Sequence, residues 1–177
     1  VDDRGDTAAN TGHLTTTTLT GLGMSEGIIY NHFEQLDLCL GSGDDHFTIE
    51  STFTGETTLE TRNGADTVEI VSTEGITHVN TGRGTDTVNI KGINAQTTVN
   101  TGSHDDVINV SSWESLINQL NVLLNLNGNR GNDSLNVHDN EETDEDLGDL
   151  TPTTLTELGI DIGLTYDSFE SLKIFPL

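Results

Sequence analysis

Apolar residues alternate with polar ones in short runs along this chain, as in Thr77, Val79 and Thr81 against His78 and Asn80, and Val88 and Ile90 against Thr87 and Asn89. Period two is the β-strand signature, because successive side chains point to opposite faces. The paired runs return about every twenty residues. Leu59, Val79 and Val99 align before a turn; Val68/Ile70, Val88/Ile90 and Ile108/Val110 align after it. These positions are expected to line a narrow core, with Thr87, Asn89 and Asn109 facing out. Polar bends at Ser72–Gly75 and Lys91–Asn94 separate one pair of runs from the next.

The turns themselves repeat. They read GSGDDHFTI from Gly41, RNGADTVEI from Arg62, GRGTDTVNI from Gly82, GSHDDVINV from Gly102 and NRGNDSLNV from Asn129, which aligns Asp45, Asp66, Asp86, Asp106 and Asp133. A short fixed period predicts an all-β, parallel stacked β-solenoid, since one coil cannot bury its own apolar face. A longer period of 136 residues overlies it: residues 1–41 align without a gap on 137–177, and 17 of the 41 pairs are identical, among them Tyr30/Tyr166, Phe33/Phe169 and Glu34/Glu170. The reading is one full unit, 1–136, continuous with the start of a second, 137–177, in a protein expected to continue on both sides. Thr15–Thr20, Gly27–Tyr30 and Leu36–Leu40 read as strands adding coils without the aspartate turn. Trp113, Leu116, Ile117 and Leu120 sit at helical spacing and predict a short helix over 112–122.

Charge narrows the partners. Thirty acidic against six basic side chains give a formal charge of −24, which argues against nucleic acid and anionic membranes and for cations. No apolar run is long enough to span a bilayer. The N-terminus lacks the basic and apolar regions of a signal peptide, so any such signal would lie upstream of Val1.

In the turns, glycine admits positive φ and brings carbonyls close to the aspartate, giving an all-oxygen site. Two carboxylates about 5 Å apart repel by roughly 3 kcal/mol at an effective dielectric near 20. A stacked row of five calls for positive charge between them, and calcium, which takes six to eight oxygens in flexible geometry, suits it. The turns resemble the glycine-rich, calcium-binding nonapeptide of the repeat-in-toxin (haemolysin-type) family, G-G-x-G-x-D-x-apolar-x. Gly41, Gly43, Asp45 and Phe47 match the end of that pattern, as do Gly82, Gly84, Asp86 and Val88. The resemblance implies a secreted bacterial protein with calcium held between successive turns. Its implied metal residues are Asp45, Asp66, Asp86, Asp106 and Asp133, with Gly43 and Gly84. The chain departs from the pattern in having one turn per twenty residues, Arg62 and His104 at glycine positions, and Arg83 and Arg130 within turns. The competing reading is that the aspartates accept backbone amides and arginines neutralise them without metal.

Other features carry less. Arg4-Gly5-Asp6 is replaced by Asn140, Glu141 and Glu142 in the second copy, and the acidic run Glu141–Asp146 lacks the glycine of a helix-loop-helix calcium loop. Six scattered histidines have no ligand spacing, Asn109 and Asn132 open glycosylation sequons by pattern alone, and Cys39 reads as a packed apolar substitute. Thr57, Thr77 and Thr97, with Thr61, Thr81 and Thr101, stack into rows that resemble ice-binding faces, though β-propensity explains them. No catalytic motif is present; Arg62 and Arg83 are the sole candidates for an acidic-polysaccharide enzyme. The expectation is a non-enzymatic, calcium-stiffened structural or adhesive module of a large extracellular or cell-surface protein. Its partners are neighbouring repeat units and surface or matrix glycans, and the alternative is a solenoid face that binds ice or glycan.

Overall fold

The computed structural model describes residues 1–111, 122–138, 148–156 and 163–175. Strands are numbered in chain order. One sheet holds β4 (Gln35–Cys39), β6 (Glu56–Glu60), β8 (Thr77–Arg83), β10 (Thr97–Ser103), β12 (Leu124–Asn127) and β16 (Leu164–Asp167) as parallel neighbours, continued antiparallel by β15 (Thr154–Thr156) and β14 (Asp149–Leu150). The other holds β1 (Thr11–Leu14), β5 (His46–Ile49), β7 (Thr67–Ile70), β9 (Thr87–Ile90), β11 (Val107–Ser111), β13 (Ser134–His138) and β17 (Ser171–Phe175) in parallel. There β2 (Thr18–Gly21) and β3 (Ile28–Ile29) continue antiparallel from β1. The chain is thus all-β among the described residues, in two mixed sheets of mostly parallel strands. From β4 to β13 it passes alternately between them, and from β6 onward each strand lands beside the one two before it.

Register follows the alternation in the sequence. Leu59, Val79 and Val99 pair in line, as do Val68 with Val88 and Val88 with Ile108. All are fully buried, and Ile70, Ile90 and Leu135 join them in one apolar core between the sheets. On the outward face asparagines stack: Asn109 Nδ2 donates to Asn89 Oδ1 at 2.8 Å, Asn136 Nδ2 to Asn109 Oδ1 at 2.8 Å, and Asn100 Nδ2 to Asn80 Oδ1 at 2.9 Å.

The threonine rows line the inside of the sheets: Thr57, Thr61, Thr77, Thr81, Thr97 and Thr101 are all fully buried. They share the inward phase of Leu59, Val79 and Val99, and hydroxyls in the rows find partners one circuit on, Thr61 Oγ1 donating to the Thr81 carbonyl at 3.0 Å and Thr81 Oγ1 to that of Thr101 at 2.8 Å. A buried hydroxyl so satisfied costs little; Thr57 Oγ1, at the start of its row, is buried without a partner. One expectation changes: Thr15–Thr20 and Gly27–Tyr30 do not add coils, whereas Leu36–Leu40 overlaps β4 of the parallel stack. Residues 11–29 form the antiparallel meander β1–β2–β3, in which Leu14 pairs with Leu19 and Leu19 with Ile28. The helix expected over 112–122 falls almost wholly outside the described residues.

The second copy rebuilds the meander in the same register, Leu150 pairing with Leu155 and Leu155 with Leu164. The tyrosine anchors recur too: Tyr30 OH donates to the Thr15 carbonyl, and Tyr166 OH to that of Thr151 at 2.6 Å. Yet the copies lie in opposite sheets. The first meander belongs to the sheet of β5 and the second to that of β12, while β4 and its counterpart β17 are likewise exchanged.

Candidate functional site

Each aligned aspartate closes the turn from a strand of the eight-stranded sheet to one of the nine-stranded sheet. The strand that follows is in phase with the core, which carries the aspartate inward as well: Asp45, Asp66, Asp86, Asp106 and Asp133 are all buried. Their carboxylates form a continuous ladder. Asp66 Oδ1 accepts the Asp45 amide at 2.8 Å, Asp86 Oδ1 that of Asp66 at 2.8 Å, Asp106 Oδ1 that of Asp86 at 2.8 Å, and Asp133 Oδ1 that of Asp106 at 2.9 Å. Asp45 Oδ1 takes the Asn10 amide at 2.9 Å. At the far end Glu170 Oε2 takes the Asp133 amide at 2.7 Å. Glu170 lies outside the aligned turns, and its identity with Glu34 across the long repeat is the sequence signal for it.

The second carboxylate oxygen of all five aspartates is buried and has no hydrogen-bond partner. Burial raises every one of these carboxyls above the ordinary aspartate range, Asp66 and Asp106 to about 6. The amide of the preceding circuit works against that rise in each case. A raised aspartate pKa means that the folded state holds protons the unfolded chain has released. Without divalent cations, stability is therefore expected to rise as pH falls from about 6 towards 4. Melting temperatures in chelator across that range check the sign.

The glycines named with the aspartates sit against the neighbouring circuit. Gly84 has φ +134°, and a Cβ there would overlap the Gly64 carbonyl oxygen; a Cβ at Gly43 would overlap that of Ala8. At Gly64 (φ +125°) a Cβ would overlap the Gly43 carbonyl oxygen and lie 3.1 Å from Asp66 Oδ1. Carbonyl and carboxylate oxygens thus meet around this glycine. The donor set is hard oxygen throughout, and the unpartnered Oδ2 row is what a cation would satisfy, so these residues fit calcium by type. Among the described residues no three His, Cys, Asp or Glu side chains converge as a metal cluster, because each circuit contributes one carboxylate.

The arginines do not neutralise the ladder. The ion pairs among the described residues are Arg4–Asp2, Lys91–Glu69 at 3.2 Å, His13–Glu50 at 3.8 Å and His78–Glu56 at 3.7 Å. Arg62, Arg83 and Arg130 instead line an open groove of about 860 Å³ along the turn edge, with Asn80, Asn127 and Asn129 beside them and Glu60 and Asp167 in its wall. Arg62 is held at φ +77°, at the station where Gly82 has +98° and Gly102 +104°. Side chains other than glycine seldom occupy this region, so Arg62→Gly is expected to raise stability by up to about 1 kcal/mol, read as a small increase in melting temperature.

Cys39 is half-buried beside Glu60, and burial raises its thiol pKa, the reverse of an activated nucleophile. The acidic run 141–146 lies outside the described residues. No described helix is long and apolar enough to cross a membrane. No family model, curated protein or solved structure matches the chain.

Proposed function

We propose that the two sheets are the walls of a parallel β-solenoid, and that the chain is a non-enzymatic, calcium-stiffened structural and adhesive repeat module of an extracellular or cell-surface protein. The observation that carries this reading is the row of five buried Oδ2 atoms without partners. Such a row costs several kilocalories per mole when ionised and alone. A divalent cation removes that cost and ties each circuit to the next. The glycine-aspartate turns agree with the repeat-in-toxin resemblance, and the 136-residue period agrees with a tandem array. Metal analysis of protein purified with calcium and then dialysed tests the proposal. Retention of calcium in the wild type and its loss in a variant with all five aspartates changed to Asn support it; wild-type protein free of calcium at millimolar supply overturns it.

A second reading is favoured by the groove. Three of the six basic side chains of a chain of charge −24 line one trough, none of them paired with a carboxylate among the described residues. Guanidinium groups in a row suit a linear acidic glycan through forked hydrogen bonds to carboxylates. Binding of an oligogalacturonate that is lost in Arg83→Gln/Arg130→Gln, with no binding of a neutral oligosaccharide, would establish that use.

A further inference from the structure

The geometry points to a specific partner for the open edge of β3: the β12–β13 segment of another repeat unit, seated as this chain's own β12–β13 is seated on β16 and β17. The inference deepens the proposed function and rests on its tandem-array reading. The two meanders are the same object in different surroundings. In the second, Leu164, Thr165, Tyr166 and Asp167 pair in parallel with Leu124, Asn125, Leu126 and Asn127. In the first, the counterparts Ile28, Ile29, Tyr30 and Asn31 lie on an edge where the sheet ends.

The exposed side chains trace the missing neighbour. Leu164 is fully buried under β12, whereas its counterpart Ile28 is 39% exposed and the adjoining Ile29 is 81% exposed. Phe169 packs against the core while its counterpart Phe33 is 53% exposed. Tyr30 N–H donates inward to the Thr17 carbonyl at 2.8 Å, as Tyr166 N–H does to Thr153 at 2.9 Å. Strand alternation then turns the Ile29 and Asn31 amides towards the open edge. An uncovered apolar edge with free donors is a template for a further strand.

The start of a second contact is already in place. Asp2 bridges Cys39 in parallel, as His138 bridges Phe175, so Val1 and Asp2 stand where β13 stands on β17. The Cys39 amide donates to the Val1 carbonyl at 2.9 Å. A preceding unit would complete that strand along Gln35–Asp37 and lay its β12 on β3. Glu34, the counterpart of Glu170, would then accept the amide of that unit's Asp133.

The test extends the protein at its N-terminus by a copy of residues 122–136. Since Val1 is the counterpart of Val137, the extended chain keeps the repeat spacing. Hydrogen exchange at the Ile29 and Asn31 amides is expected to slow at least tenfold, towards the rates of Thr165 and Asp167 in the same molecule. A control extension carries Asp at the positions of Leu124 and Leu126 and should give no slowing. Unchanged exchange in the extended protein, or equal slowing with the control, overturns the inference. Calcium retention does not depend on this edge, so failure here is distinct from failure of the calcium reading.

Discussion

Val88→Asp is expected to leave the protein unfolded at room temperature, while Asn89→Asp leaves it folded. Val88 sits in the middle of β9, fully buried, with Val68 on one side and Ile108 on the other. The change removes roughly 2 kcal/mol of apolar burial. It also places a carboxylate where it must either ionise in the core or hold a proton far above its ordinary pKa, about 4 kcal/mol for a shift of three units. The total of about 6 kcal/mol reaches the whole stability of many domains. Asn89 lies one residue on and faces out, and its Oδ1 accepts from Asn109, a bond that aspartate keeps. Its cost is a like charge beside Glu69, below about 1 kcal/mol at a partly solvated site. Circular dichroism of the two variants checks the pair, and equal tolerance of both would refute the strand phase.

Calcium is expected to raise the melting temperature of the wild type, and Asp86→Asn to reverse sign between calcium and chelator. A ligand that binds only the folded state stabilises it by RT ln(1 + [Ca]/Kd), about 2.7 kcal/mol at a hundredfold excess. Asp86 is central in the ladder, with Asp66 and Asp106 in the circuits on either side. In Asp86→Asn the side-chain carbonyl still accepts the Asp66 amide, so the ladder survives, and a buried charge is gone. The variant should therefore melt above the wild type in chelator and below it in calcium. Asp105→Asn is the matched control: it is exposed, its Oδ1 accepts the Asn132 amide at 2.9 Å, and it should respond to calcium as the wild type does. If the row held no cation, wild-type melting would be indifferent to chelator.

The core and the ladder positions were legible in the sequence because both depend on local periodicity. Strand alternation puts Val79 and Val88 inward, and the five aspartates recur at one position of the repeat. Their burial was less apparent, since an aspartate at a turn is ordinarily solvated. What makes it tolerable is an amide twenty or so residues away, a partner that no local pattern encodes. The phase of the threonines was legible, Thr77 and Thr81 falling in step with Val79, but the partner that Thr81 finds in the carbonyl of Thr101 was not. Thr18–Gly21 and Ile28–Ile29 were recognisable as strands, but alternation does not say whether a strand pairs parallel or antiparallel. The turn chemistry at Leu22 and Gly23, both at positive φ, lies between them and went unused. Arg62 was noticed as an intruder at a glycine position, and its backbone strain gives that observation its physical content.

The exchange of sheets between the two copies follows from counting. Among the described residues, one meander and the ten strands β4 to β13 make eleven stations before the second copy, an odd number distributed between two walls, so the second copy opens on the wall opposite to the first. The Asp45 turn runs from the eight-stranded to the nine-stranded sheet; its successor after β17 would run the other way, along the opposite flank. An array built this way has a true period of two units. Its carboxylate columns and arginine grooves would appear alternately left and right of a single shaft. If the proposed array forms, such a fibre would be two-faced by arithmetic: one surface would meet its odd units and another its even ones, and weak contacts on each side would sum by avidity.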